Sequence, residues 1–414
     1  MNDHQAIREV NPVALTGQAT QSTGDYVRAY LNRMGSGDVG SLPIIVGLII
    51  IAIIFQSLNE NYLTPRNFVN LIVQMAGITT IAIGVVYVLL LGEIDLSIGY
   101  VSAVAAVLMA LLLHKPAGGW PWYLSIGAAL LAVAIIGIIQ GTIITRYKIP
   151  SFVVTLAGLL VWNGVVLILI GGGRTVIIQD PVVIGIANYF LPPLWSWPVA
   201  AVAVGWVAVS QVLQGHSRRR RGVSTRPLSI VIIQIISLAV LAAIVVYVAN
   251  QDRGVPLIGV ILLILLAGFT FLATRTPFGR YVYALGGNAE AARRANIDVD
   301  RIKVMVFMIS SVMAGFGGIV LASRLRSVDA AAGGGNLLLN SIAAAVIGGT
   351  SLFGGSGRVV SALLGALVIA SVENGIGLLG LSSGVKFVIT GLVLLLAVLV
   401  DAISRKSRSQ SGIG

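Results

Sequence analysis

The chain contains no cysteine, which excludes disulfides, thiolate metal sites and cysteine nucleophiles. Charge is scarce: Asp, Glu, Lys and Arg make up 10% of the residues, with 15 acids against 27 bases. The three histidines, His4, His114 and His216, fall in tails or loops and cannot build a buried metal site by themselves. The apolar segments carry no HExxH pair, no paired His/Asp set and no nucleophile elbow, so intramembrane catalysis has no machinery to use. The alternating pattern of a β-barrel is absent as well.

What remains is apolar. Hydrophobic residues make up 57% of the chain and mean hydropathy is +0.96. Runs of about 18 or more apolar residues are what a helix needs to cross a bilayer core. Candidate spans are 41–58, 69–91, 96–113, 122–145, 151–170, 197–214, 228–249, 255–274, 303–323, 338–352, 359–380 and 385–402. Helices satisfy their own backbone in lipid, so the expected fold class is an all-α polytopic membrane protein. It should have about 10–12 transmembrane helices, some broken or re-entrant. Span 338–352 is short, and Gly92–Ser97 interrupts two apolar segments.

With a cytoplasmic N-terminus and twelve crossings, the inner segments hold 20 of the 27 Lys and Arg residues and the outer ones 7. The main inner contributors are Arg218–Arg221, the stretch Arg275–Lys303, and Arg405, Lys406 and Arg408. The positive-inside rule then places both termini in the cytoplasm. It also accounts for the net charge of +12 without a nucleic-acid partner. Residues 1–40 read as a polar cytoplasmic extension rather than a signal peptide. A permease domain over 41–402, with a cytoplasmic loop at 275–302, leads into a basic tail at 403–414.

Within that loop, Ala284–Ile297 reads ALGGNAEAARRANI. Gly286 and Gly287 break the preceding structure, Asn288 can cap a new helix, and Glu290, Arg293 and Arg294 make it strongly polar. Its apolar side, Ala289, Ala292 and Ile297, is too poor for stable insertion at a membrane surface. A short charged helix of this kind points to a docking partner.

Two other interruptions lie between apolar segments. In Gly92–Gly99 (GEIDLSIG), two carboxylates would be expensive facing lipid. Asp95 either caps a helix beginning at Leu96, with Ser97, or lies beside a translocation path. Gly348–Gly357 (GGTSLFGGSG) is glycine-rich, but Arg358 and Val359 follow where a P-loop needs Lys and Ser or Thr, so a tight bend is expected there. The breaks are loosely alike, each leading into a Ser-Ala helix (Ser102-Ala103 and Ser361-Ala362). Internal duplication of this sort is common in transporters. Gln74, Asn163 and the pair Glu373-Asn374 lie within spans, as interhelical glue or as path residues. Trp162 and Asn163 offer either a stacking face with hydrogen bonds for a sugar or simple packing.

Taken together, these segments resemble the sugar permeases of bacterial ATP-binding-cassette importers of the ribose and xylose class. The likeness is carried by Ala273–Ile297 (ATRTPFGRYVYALGGNAEAARRANI), Gly92–Gly99, Pro150–Ala157 (PSFVVTLA), Asp252–Pro256 (DRGVP) and Val346–Gly357 (VIGGTSLFGGSG). It runs from about Tyr62 to Asp401. The family usually has a Gly just before the Ile, where this chain has Ala295-Asn296; Asn tolerates left-handed angles, so a turn there can survive.

The resemblance implies a permease of the bacterial inner membrane with no cofactor and no catalytic residue of its own, importing a monosaccharide by alternating access. The basic loop Gly215–Pro227, the span 228–249 and the DRGVP turn put D-xylose first. Implied partners are cytoplasmic ATPase subunits, a periplasmic or surface-tethered sugar-binding protein, a second permease copy and membrane lipid. Gly287, Asn288, Glu290, Ala291, Ala292, Arg293 and Arg294 would form the helix that couples to the ATPase, with Pro277 and Gly279 setting its approach. Gln74, Asp95, Trp162, Asn163, Glu373 and Asn374 are the candidate path residues. An ion-coupled secondary transporter, with Glu93, Asp95 or Glu373 carrying the proton, is the alternative.

Overall fold

The computed structural model describes residues 42–395 apart from 115–118, 172, 221–226, 383, 386 and 393–394, together with Gly24 and Arg28. The expected N-terminal extension (apart from those two residues), the C-terminal tail, Arg221 and much of span 385–402 lie outside the described residues. The rest is helical with two minimal ladders. In chain order the elements are α1 (Leu42–Leu58), α2 (Pro65–Leu90), α3 (Ile98–Leu113), α4 (Trp122–Tyr147), α5 (Ser151–Ile170), β1 (Val176–Ile177), α6 (Pro181–Asn188) and β2 (Phe190–Leu191). There follow α7 (Pro193–Arg220), α8 (Leu228–Asn250), β3 (Val255–Pro256), α9 (Leu257–Arg275), α10 (Pro277–Gly287), α11 (Ala289–Arg294), α12 (Val299–Leu325), β4 (Ser327–Val328), α13 (Leu337–Ile347) and α14 (Ser361–Leu378). Eight of these are long and apolar enough to cross a membrane, and α1, α3 and α13 are shorter apolar helices. The protein is a multi-pass α-helical membrane protein.

Two compact units are present. One contains Trp197–Val246, most of α7 and α8; these helices are apolar but largely exposed, as lipid-facing helices must be. The other contains 39–196 and 247–414 and is built around α2 and α12. Thr64 starts α2 by accepting from the Asn67 amide at 3.4 Å, with Pro65 at the first helical position. α2 is 83% buried across its most apolar window, against 6% for α8, so the core of this unit runs along α2. α12 packs on α4 through small residues. A Cβ built on Gly137 would lie 2.7 Å from the Met308 Cα, and one on Gly141 2.8 Å from the Val304 Cα. This four-residue spacing of glycines lets backbones approach closely where the hydrophobic effect gives helices no reason to associate.

The loops of this unit segregate as the parity of the expected crossings requires. Segments assigned to the outer face meet one another. The Ile178 amide donates to the Arg326 carbonyl at 2.9 Å, β1 pairs antiparallel with β4, β2 pairs antiparallel with β3, and Asn59 donates to the Leu378 carbonyl at 3.0 Å. Segments assigned to the inner face meet at the other end: Glu93 pairs with Lys303, and the Gly355 amide donates to the Leu90 carbonyl. An odd number of missed crossings between any of these loops would have mixed the two sets.

Several boundaries differ from expectation. The helix expected from Leu96 begins at Ile98, because Asp95 uses its side chain on the Ser97 amide in a local turn and leaves Ser97 at the cap position. Span 338–352 ends at Ile347, since the glycines that follow belong to the second break. The loop expected over 275–302 is shorter: Arg275 closes α9, and Asp298 caps α12 by accepting from the Arg301 amide at 3.0 Å. Helix α6 was not anticipated. Its signal is present in Asp180-Pro181, where Asp180 accepts from the Val182 and Val183 amides at 2.9 and 3.0 Å.

Gly365 on α14 faces the Ala344 carbonyl of α13 with no room for a side chain, whereas Gly268 on α9 faces open space. Gly365→Ala should lower the apparent Tm of the purified protein by overpacking worth about 1–3 kcal/mol. Gly268→Ala should leave it unchanged or raise it by up to ~1 kcal/mol through helix propensity. Thermal scanning fluorescence in detergent reads both.

Candidate functional site

The charged segment is half of a helix pair. Thr276 caps α10, accepting from the Gly279 amide at 3.2 Å, and Pro277 follows at the first position. Gly279, Val282 and Leu285 form the buried stripe of α10. Asn288, in extended conformation, ends α10 and starts α11, its Oδ1 accepting from the Ala291 amide at 2.9 Å. The other end of α11 closes at Asn296, whose φ of 59° is left-handed. The Asn296 amide donates to Arg293 at 2.9 Å and the Ile297 amide to Ala292 at 3.1 Å, a Schellman closure in which Asn replaces the usual Gly. Ala292 is 4% exposed, and Ile297 packs on the same core. The opposite face carries Glu290 and Arg294, paired at 3.4 Å with side chains 68% and 79% exposed. Such a pair contributes little to stability, so these charges are not there to hold α11 together.

Beneath this pair the two helix breaks meet. The Leu90 carbonyl, at the end of α2, accepts the Gly355 amide from the second break at 2.9 Å. The same carbonyl lies where a Cβ on Gly286 would be, so Gly286 permits the contact by having none. Gly92 and Gly354 stack beside it, both with positive φ. The Tyr283 hydroxyl donates to the Gly357 carbonyl at 2.8 Å. Burial raises the Tyr283 pKa above the ordinary tyrosine value, partly offset by Arg358, so the phenol stays a neutral donor. Glu93 in the first break pairs with Lys303 at the foot of α12, both largely buried. One surface thus joins the charged pair to α2, α3, α12, α13 and α14. Sequence reading found α11 and both breaks. It missed α10, signalled by Thr276-Pro277, and the ties made by Tyr283 and Lys303.

The candidate path residues fall into two groups. Gln74, Glu373 and Asn374 gather near the opposite end of the same unit. Asn374 exchanges hydrogen bonds with Asn67 at 2.7 and 2.9 Å and donates to Gln74 at 3.2 Å, and Asn340 donates to Glu373 at 2.6 Å. Asp95 lies elsewhere, 4% exposed, accepting from the Ser97 amide at 2.9 Å, the Ser97 hydroxyl at 2.7 Å and Ser310 at 3.2 Å. Gln140 donates to Ser97 at 3.0 Å, and the Trp162 ring nitrogen, beside Gly158, is buried with no hydrogen-bond partner among the described residues. This second group ties the first break to α4 and α12. Asn163, half-buried on α5, joins neither.

The fold and the site define a polytopic membrane permease with an externally presented charged helix pair. The family described as "Branched-chain amino acid transport system / permease component" matches residues 67–398, and the chain belongs to it. Among its relatives, the xylose transport system permease protein of Escherichia coli (strain K12) is 38% identical over 357 residues, 83% of this chain and 87% of the relative. That of Haemophilus influenzae is 34% identical over 370 residues, 88% and 98%. The ribose import permease protein of Bacillus subtilis (strain 168) is 32% identical over 356 residues, 86% and 91%. These relatives place the chain in the ribose/xylose class that its motifs resemble. No solved structure matches the chain.

Gly286→Ala should push α10 off the Leu90 carbonyl and accelerate hydrogen exchange at the Gly355 amide, read by mass spectrometry on a peptide covering 350–357. Gly287, which faces open space, is the control: Gly287→Ala should leave exchange unchanged. Equal exchange in both variants would contradict the close approach.

Proposed function

We propose that the chain is the transmembrane permease subunit of an ATP-binding-cassette importer that carries a monosaccharide, D-xylose first, into the cytoplasm. It works with cytoplasmic ATPase subunits, a periplasmic or surface sugar-binding protein and a second copy of itself, in the lipid of the bacterial inner membrane. It performs no chemistry on the sugar and needs no cofactor; ATP is hydrolysed on the partner subunits. Both termini and the α10–α11 pair lie on the cytoplasmic side, a reading supported by the charge bias and by the segregation of the loops.

The observation that carries the mechanism is the contact of Gly286 and Gly355 at the Leu90 carbonyl. α11 presents Glu290, Arg293 and Arg294 outward to a groove of the ATPase, while its buried face and α10 rest on both breaks. Closure of the ATPase pair moves α10–α11, and the shared backbone contact passes that displacement to the ends of α2 and α13. At roughly 39 Å, from 26 residues at 1.5 Å each, α2 is long enough to convey it across the membrane. There, Asn374 and Gln74 tie α14 to α2. A neutral sugar needs hydrogen-bonding groups along its path and no fixed counter-charge, which suits the amide-rich cluster at that end. The names of the xylose and ribose relatives favour this reading over ion coupling, for which no observation speaks.

The combined Glu290→Ala and Arg293→Ala variant should insert normally yet uncouple the assembled transporter. In proteoliposomes holding the ATPase and the binding protein, uptake per ATP hydrolysed should fall by on the order of tenfold or more, equivalent to about 1.4 kcal/mol of lost docking energy. Unchanged coupling in that variant would sink the docking role of α11.

A further inference from the structure

At the end of the second unit opposite α10–α11, a cleft of about 210 Å³ opens among Asn70, Gln74, Asn188, Phe190, Arg253 and Arg324. Some of these groups are already committed to the scaffold. Arg253 donates to Asp252 at 2.8 Å and to Asn70 at 2.6 Å and lies over the Phe190 ring at 4.4 Å, fastening the 252–256 turn to α2. Asn188 donates to the Ser323 and Ile184 carbonyls at 2.7 and 3.1 Å.

Two groups are different. The Gln74 oxygen accepts from Asn374, but among the described residues its amide nitrogen donates to nothing. The Arg324 guanidinium likewise donates no hydrogen bond among them, although it lies within electrostatic range of Glu373. Gln74 is nine residues beyond Pro65, roughly 14 Å along the axis of α2. Unused donors at that depth are costly unless water or a solute supplies acceptors. Arg324, in the last turn of α12, brings a guanidinium to the same cleft, where water or a solute suits it better than lipid.

We propose that this cleft is a binding site for a neutral monosaccharide, with Gln74 and Arg324 as the residues that recognise its hydroxyls. The inference rests on the importer reading above. A sugar hydroxyl both donates and accepts, so a pentose can accept from the N–H groups of Gln74 and Arg324 and donate to the Asn70 oxygen, whose second lone pair is left over from its bond to Arg253. Asn188, Phe190 and Arg253 form the rigid wall. The charge of Glu373 near Arg324 keeps the site from becoming a simple anion trap. The small volume and polar walls fit transient occupancy on the way through rather than tight storage.

The absence of cysteine gives a direct test. Val73 also lines the cleft, so Val73→Cys introduces a lone thiol there. Its modification by a membrane-impermeant methanethiosulfonate added from outside should be slowed in a saturable way by D-xylose and not by the anion D-xylonate. In parallel, Gln74→Leu and Arg324→Gln should raise the uptake KM by on the order of tenfold, about 1.4 kcal/mol, while stimulation of the ATPase by the binding protein persists. Protection by xylonate alone would overturn the neutral-sugar assignment. No protection by either, or an unchanged KM with intact uptake, would overturn the site. Failure of the unmodified transporter to take up any monosaccharide with ATP would instead strike the importer reading on which the site rests.

Discussion

A single carbonyl, that of Leu90, holds the mechanical design together. It ends α2, accepts the amide of Gly355 from the second break, and sits where any side chain at position 286 would have to be. Three segments far apart in sequence therefore converge on one backbone atom, and each can reach it only because glycine supplies the space or the left-handed turn. Gly92, Gly354 and Gly355 all adopt positive φ around this point. Replacing packed side chains by backbone contact makes the joint short and stiff. A displacement imposed on α10–α11 has little compliance in which to dissipate.

The two hairpins that leave this joint are held differently. The first break is locked to α4 and α12 through Asp95, Ser97, Gln140 and Ser310, a buried network in which the carboxylate accepts three hydrogen bonds. The second is tied by Tyr283 and by the amide at Gly355. Near the other end, the Asn67–Asn374–Gln74 amides bind α2 to α14 again. The α2–α3 and α13–α14 hairpins thus form a closed frame, with amide hydrogen bonds near one end and glycine contact at the other. In the proposed importer the glycine end would receive the work of the ATPase and the amide end the solute.

Much of this was legible in the residues. Long apolar runs gave the helices, and their alternation sorted the loops into two sets that the structure keeps apart. Asn288 and Asn296 were readable as the caps of α11 because Asn serves both an N-cap and a left-handed closure. Other features were not legible, for physical reasons. Tertiary contacts such as Tyr283 to Gly357 or Lys303 to Glu93 join residues separated by tens to hundreds of positions, and no spacing rule reports them. Asp95 was ambiguous between cap and path because both roles call for a carboxylate beside a glycine break. Burial among Ser97 and Ser310 shows which neighbours it has. The grouping of Gln74 with Glu373 and Asn374, apart from Trp162 and Asn163, likewise depended on packing.

In the proposed importer the charged helix pair and the second break move as one body during transport. Phe353 lies on that break and is 82% exposed, and Tyr281, on α10 and outside the docking residues, is 41% exposed, so both accept spin labels in a chain without cysteine. With Tyr281→Cys and Phe353→Cys labelled within one chain of the assembled transporter, electron–electron double resonance measures their separation with and without a non-hydrolysable ATP analogue. The distance should stay unchanged while the ATPase closes. A separation that shifts with nucleotide would contradict this, showing that the helix pair moves independently of the break it rests on.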